Sequence, residues 1–138
     1  MNDELVANLQ ALRRDPAVVV NLYEQLFNAR LVALVADPTV PLKSLSFLTY
    51  PTPDGIRELP VFTSGERTIL SRLEADGGAR RVELDGTGFW RRMLDVVRTG
   101  ECEVAVDAGE EYGIRITREI LLGMVNRYGS GIGDSEAV

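Results

Sequence analysis

At 138 residues the chain fits one domain, and a chain of this size buries roughly two-thirds of its unfolded surface without disulfide or metal staples. Hydrophobic residues at 45% and charged residues at 26% give the balance of an ordinary water-soluble domain. The net charge of −6 argues against a phosphate-binding surface, and so against nucleic acid; it fits plain solubility or a basic protein partner.

Asn2 or Asp3 can cap a first helix reaching about Arg14, with Leu5, Leu9 and Leu12 on one narrow stripe beside Val6. That stripe is expected to dock within the chain or in a homodimer. Asp15-Pro16 restarts the helix, with Asp15 as N-cap and Pro16 in the first position. The second helix runs to about Asn28 with a broad apolar face of Val19, Leu22, Tyr23, Leu26 and Phe27. The β-branched run Val18-Val19-Val20 lowers helicity locally.

Leu31–Ala36 reads as a fully buried strand stopped by Asp37-Pro38. Leu45–Tyr50 alternates as a further strand. Pro51–Gly55 is a turn ending in Asp-Gly, so this strand is predicted to pair antiparallel with Ile56–Phe62. Pro60 cannot donate to a ladder and marks an edge strand, a strand end or a bulge. Thr63 and Glu66 form the T-x-x-E pattern of a capping box, which puts the cost of Thr63→Ala at about 1 kcal/mol. Ile69, Leu70 and Leu73 stripe the helix that follows, and Asp76-Gly77-Gly78 ends it.

Arg80–Leu84 is a short strand. Asp85 or Thr87 can cap a helix through Arg98, closed by Gly100, with Phe89, Met93 and Val96 on one stripe and Trp90, Leu94 and Val97 on its neighbour. Phe89 and Trp90 are adjacent, so either the helix buries a wide face or one of them is exposed, with Trp90 the candidate anchor for a partner. Cys102–Val106 and Ile114–Ile116 read as strands around a turn at 107–113. Thr117 can cap a last helix bearing Ile120, Leu121, Met124, Val125 and Tyr128. Residues 129–138 are Gly-rich and lack periodicity, so a flexible tail is expected. The expected architecture is a single α+β domain over 1–128, with 1–28 as a helical extension: a mixed sheet containing an antiparallel hairpin, packed with amphipathic helices.

The segment Glu58-Leu-Pro-Val-Phe-Thr-Ser-Gly-Glu-Arg67 resembles the L-P-V-F-T-S-x-E-R segment of the SseB family, the enhanced serine sensitivity protein B N-terminal domain. A weaker likeness covers Cys102–Met124, where such domains carry a strand, an N-P-G turn and a helix. Here Val104-Ala-Val-Asp-Ala-Gly109 keeps the glycine and the general shape. The resemblance spans Ala29–Arg127 and implies a bacterial, cytoplasmic protein and this fold; it implies no reaction.

The chain contains no histidine, which removes Ser-His-Asp and Cys-His catalysis and most zinc sites. The single cysteine, Cys102, rules out an intramolecular disulfide, fits a reducing compartment and sits in a strand as a buried thiol. Ser64 stands at a strand-to-helix bend but lacks the G-x-S-x-G pattern, so it reads as capping chemistry. Gly129–Gly133 follows a helix instead of preceding one and lacks a P-loop lysine. The N-terminus MNDELVANLQ has no secretory signal, and no run approaches the about 18 apolar residues of a membrane span.

The main charged feature is the acidic group Glu101, Glu103, Asp107, Glu110 and Glu111, which no basic residue interrupts. Strand alternation turns Glu101, Glu103 and Ala105 to one face and gathers the other three acids at the strand end. The pattern serves as a solvated face, as a docking patch for a basic partner, or as a cation site whose spacing does not match an EF-hand. Arg80, Arg81, Arg91 and Arg92 are explained by ion pairs within the chain. The expectation is a non-enzymatic, cytoplasmic protein-binding module without cofactor or metal, acting as an immunity or regulatory protein. Its partner-binding residues are Glu101, Glu103, Asp107, Glu110, Glu111 and Trp90. The alternatives are a dimeric secretion chaperone of the type III kind, holding an export substrate, and a carboxylate-based metal-dependent enzyme.

Overall fold

The computed structural model describes residues 3–136 other than Arg13, Asp76, Gly77 and Glu101, with backbone alone for Val18, Val20 and residues 130–136. Asn2 as a cap and Asp76-Gly77 as a helix stop lie outside the described residues. Five strands form one mixed sheet in the order β3-β1-β2-β4-β5. They are β1 (Leu31–Val35), β2 (Arg57–Phe62), β3 (Arg80–Leu84), β4 (Cys102–Val106) and β5 (Ile114–Ile116). The helices are α1 (Asp3–Ala11), α2 (Val19–Asn28), α3 (Thr68–Ala75), α4 (Gly86–Gly100) and α5 (Arg118–Glu136). β1 pairs antiparallel with both β2 and β3, β2 pairs parallel with β4, and β4 and β5 form an antiparallel hairpin.

Side-chain alternation splits the sheet into two unequal faces. Leu31, Ala33, Val35, Leu59, Val61, Val104 and Val106 face one way, into the main core under α1, α2, α4 and α5. Val32, Leu34 and Phe62 face the other way and are covered by Leu70 of α3 and by Ala79. That second cover reaches only part of the sheet. β1 is buried at all five positions, as expected of a strand with helices on both faces.

Asp15 accepts from the Ala17 N–H at 3.1 Å and Pro16 opens the turn, as expected. The first turn is 3-10, over Pro16–Val18, and the α-helix begins at Val19. The α1 stripe docks on its own chain: Leu5 and Leu9 are buried in the main core, and Asn8 donates to Gln25. Trp90 is fully buried, with its indole N–H donating to the Phe27 carbonyl at 3.1 Å and its ring stacked on Phe27. Phe89 is fully buried beside it, so α4 uses a wide face and Trp90 is no surface anchor.

Three expectations are corrected. Residues 45–50 make only single bridges, Phe47 to Val35 and Tyr50 to Glu58, so the predicted hairpin reduces to one backbone bridge across its turn. β2 is a central strand despite Pro60. Glu58 exchanges backbone bonds with Tyr50 and Phe62 pairs with Val32, so Pro60 falls where β1 has parted from β2 and no ladder donor is required. Lastly, α5 continues past Tyr128 to Glu136, into the stretch expected to be a tail. Gly129 is buried at a close helix approach, where a Cβ would stand 3.0 Å from the Thr87 methyl. A residue that reads as a helix stop here lets two helices touch.

Candidate functional site

The family-like segment ends in a loop, Thr63–Arg67, between β2 and α3. The capping box does not form, because α3 begins at Thr68. Thr63 turns instead to Asp107, at the end of β4. Its N–H donates to Asp107 Oδ1 at 2.8 Å and its hydroxyl donates to Oδ2 at 2.6 Å. Arg67 completes the cluster. One of its terminal N–H groups donates to Thr63 Oγ1 at 2.8 Å, and its Nε lies 3.4 Å from Asp107 Oδ2. The guanidinium also sits 5.8 Å from the centre of the Tyr112 ring. Burial, and then the Asp107 charge, push the Tyr112 phenol up to about 12. Ser64 Oγ accepts from the Glu66 N–H at 3.1 Å and so bends the loop locally.

Asp107 itself is wholly buried and has a left-handed backbone, φ 51°. Aspartate tolerates that conformation better than most residues. The next turn is packed as closely. A Cβ on Gly113 would stand 2.6 Å from the Asp107 carbonyl oxygen. The loop, the turn and the start of α3 are thus one charged, hydrogen-bonded knot. Beside it opens a cleft of about 360 Å³ lined by Arg30, Glu83 and the loop, carrying both signs of charge.

The open half of the second sheet face holds the other charged group. Glu58 and Glu103 stand opposite each other on β2 and β4, and Ala105 opposes Arg115 on β5. Two like charges in register repel, and Arg115 answers both, at 3.0 Å from Glu58 and 3.5 Å from Glu103. It also reaches Asp54 at 2.8 Å. Hydrogen bonds from Thr52, Arg115 and the Ile56 N–H hold the Asp54 carboxyl well below the usual range. The same carboxylates, Asp54 first, push the Arg115 guanidinium further up. Glu110 joins Glu58 and Arg115 around a shallow hollow of about 270 Å³ floored by Ala105.

The acidic residues singled out in the sequence are therefore divided. Glu103 pairs with Arg115 and Glu110 lines the hollow beside it, both half-buried, and Glu111 is exposed in the adjoining turn. Asp107 is internal and unavailable to a partner. Glu101 lies outside the described residues. Asp54, Glu58 and Arg115 were not singled out, since three separate segments bring them together; the repeated acid at in-register strand positions was the one available signal. Among the described residues no three acidic or cysteine side chains stand close enough to hold a metal ion. Cys102 is buried, and burial pushes its thiol up. No helix among the described residues is long and apolar enough to cross a membrane.

The fold and its charged knot define an α+β domain built on an open five-stranded mixed sheet. The chain belongs to the SseB family: the model of the SseB protein N-terminal domain matches residues 3–121. The match begins in α1, earlier than the Ala29 start of the motif likeness, and so covers α1 and α2. No curated protein matches the chain.

Proposed function

We propose that the chain is a non-enzymatic protein-binding module that presents the open half of its sheet to a partner with a basic surface. The observation that carries this reading is the charge imbalance there. Three carboxylates, from Asp54, Glu58 and Glu103, engage the single guanidinium of Arg115, and Glu110 lines the hollow beside it. At one end of this face, beside Glu103, stands Ile56, 39% exposed and the one large apolar side chain left open among the described residues. An apolar contact beside a carboxylate cluster suits a basic protein surface, with charge setting encounter rate and specificity.

The non-catalytic part of the reading rests on chemistry. The chain has no histidine, its one thiol is buried, and the Asp107 carboxylate is engaged by Thr63 and Arg67. A free thiol suits a reducing, cytoplasmic setting. The immunity or regulatory role is the concrete form we favour. The export-chaperone alternative keeps only size and acidity in its support, because the α1 stripe is buried within the chain.

The test is affinity purification of the tagged chain from its native cells at low and high salt, with Glu103→Lys/Glu110→Lys alongside. One basic protein recovered in stoichiometric amount at low salt, lost at high salt and lost in the variant, is the expected result. Recovery that the variant leaves unchanged, or no partner at either salt, rejects the reading.

A further inference from the structure

β3 forms one edge of the sheet, with β1 as its strand neighbour. The direction of its peptide groups follows from β1. The Leu48 N–H donates to the Leu34 carbonyl at 2.9 Å, and the Ala36 N–H donates to Ser46 at 3.2 Å. β3 already pairs along all of β1, so residues 46–48 lie on the opposite edge of β1. Leu34 and Ala36 therefore turn their peptide groups away from β3, and alternation turns those of Leu31, Ala33 and Val35 toward it. These three oppose Leu84, Val82 and Arg80. The N–H and C=O groups of Arg81 and Glu83 consequently point outward from the sheet edge.

We propose that this edge pairs with β3 of a second copy of the chain, antiparallel about Val82. Backbone bonding across such a seam joins outward-facing residues only, which leaves three two-fold registers. Arg81 opposite itself sets like charges together, and so does Glu83 opposite itself. The third register sets Arg81 against Glu83 of the second copy, and Glu83 against Arg81, giving four backbone hydrogen bonds flanked by two ion pairs. Val82 then meets its own counterpart at the close, non-bonded position on the helix face. Val82 and Leu84 are half-buried at the rim of the main core, and the seam covers them. Arg80, Arg81 and Glu83 are exposed; within the chain Arg81 donates to Glu74 and to the Gly65 carbonyl, and Glu83 lies 3.9 Å from Arg30, so the ion pairs of the seam extend these contacts. Charged side chains and proline commonly guard edge strands against pairing; here the charges are of opposite sign and spaced to complement themselves across a two-fold seam. The seam lies at the far side of the sheet from the acidic hollow, so the two surfaces are independent.

Sedimentation equilibrium of the full chain over a concentration series up to about 1 mM tests the seam. The average mass is expected to rise from 15.2 kDa toward twice that value. Glu83→Pro removes an outward N–H and leaves the β1 ladder intact, so circular dichroism and melting hold while the dissociation constant rises at least about tenfold. Glu83→Arg sets arginine against Arg81 and dissociates the dimer. A wild-type chain that stays at 15.2 kDa throughout overturns the proposal. So does a dimer indifferent to a folded Glu83→Pro or Glu83→Arg chain, which would place association on another face.

Discussion

Asp107→Asn isolates the charge in the buried knot, because asparagine keeps the shape and tolerates the left-handed backbone at φ 51°. The bond from the Thr63 N–H survives on Oδ1. The bond from the Thr63 hydroxyl, 2.6 Å to a charged oxygen, meets an amide N–H₂ instead. A buried hydrogen bond to a charged group contributes about 1.5–3 kcal/mol. Arg67 also loses its counter-charge. Removing one partner of a fully buried pair costs about 3–5 kcal/mol, but the Arg67 side chain is 22% exposed, which moves the total to the low end, about 3 kcal/mol. Against a native stability of about 5–15 kcal/mol this is a large share. The expected fall in Tm is about 10 °C, read by calorimetry and by urea unfolding. A parallel Arg67→Met series closes a double-mutant cycle, in which Asp107→Asn should cost clearly less once Arg67 is gone. Melting of Asp107→Asn within about 2 °C of wild type would refute the knot as a source of stability.

Thr63→Ala should destabilise by about 2 kcal/mol, through the lost bond to Asp107 and the lost acceptor for Arg67, while Ser64→Ala stays within about 0.5 kcal/mol; equal costs in urea unfolding would contradict the assignment. Tyr112 ionises near 12 in the fold against about 10 unfolded, so its contribution to stability is full below pH about 10 and is lost as pH rises through 12. Tyr112→Phe should delete the latest component of the phenolate absorbance titration, and deletion of an early one would refute the burial. Trp90→Phe should cost about 2 kcal/mol by leaving the Phe27 carbonyl without its indole donor; a change under about 0.5 kcal/mol in urea unfolding would fit a surface position instead.

Elements whose signal is local were legible. β1, β3, β4 and β5 stand within a residue of their expected spans, and Asp15-Pro16 caps as its chemistry dictates. What failed depended on partners distant in the chain. Thr63 has the right neighbour at Glu66 for a capping box, yet Asp107, 44 residues on, offers its main chain and hydroxyl a charged acceptor. Tertiary contact therefore overrides the local pattern, and α3 starts late. Asp107 looked like surface because charge counts as exposed in any local reading. Its burial follows from Thr63 and Arg67, both inside the motif that carried the family likeness. Pro60 marked a missing donor correctly, but sequence could not show that β1 has already left β2 at that level.

The parallel pairing of β2 with β4 has a consequence in time. The loop that carries the family motif cannot close its knot until Asp107 has been made, 44 residues after Thr63. At bacterial-to-eukaryotic synthesis rates that interval is roughly 2 to 9 seconds. For that time the end of β2 lacks its long-range neighbour, and Arg67 lacks its counter-ion. A nascent chain halted before Asp107 holds the strand, the loop and the beginning of α3 without the residue that fixes them together. Ordering of the motif is thus a late step in assembly, set by topology and not by local helix or strand preference.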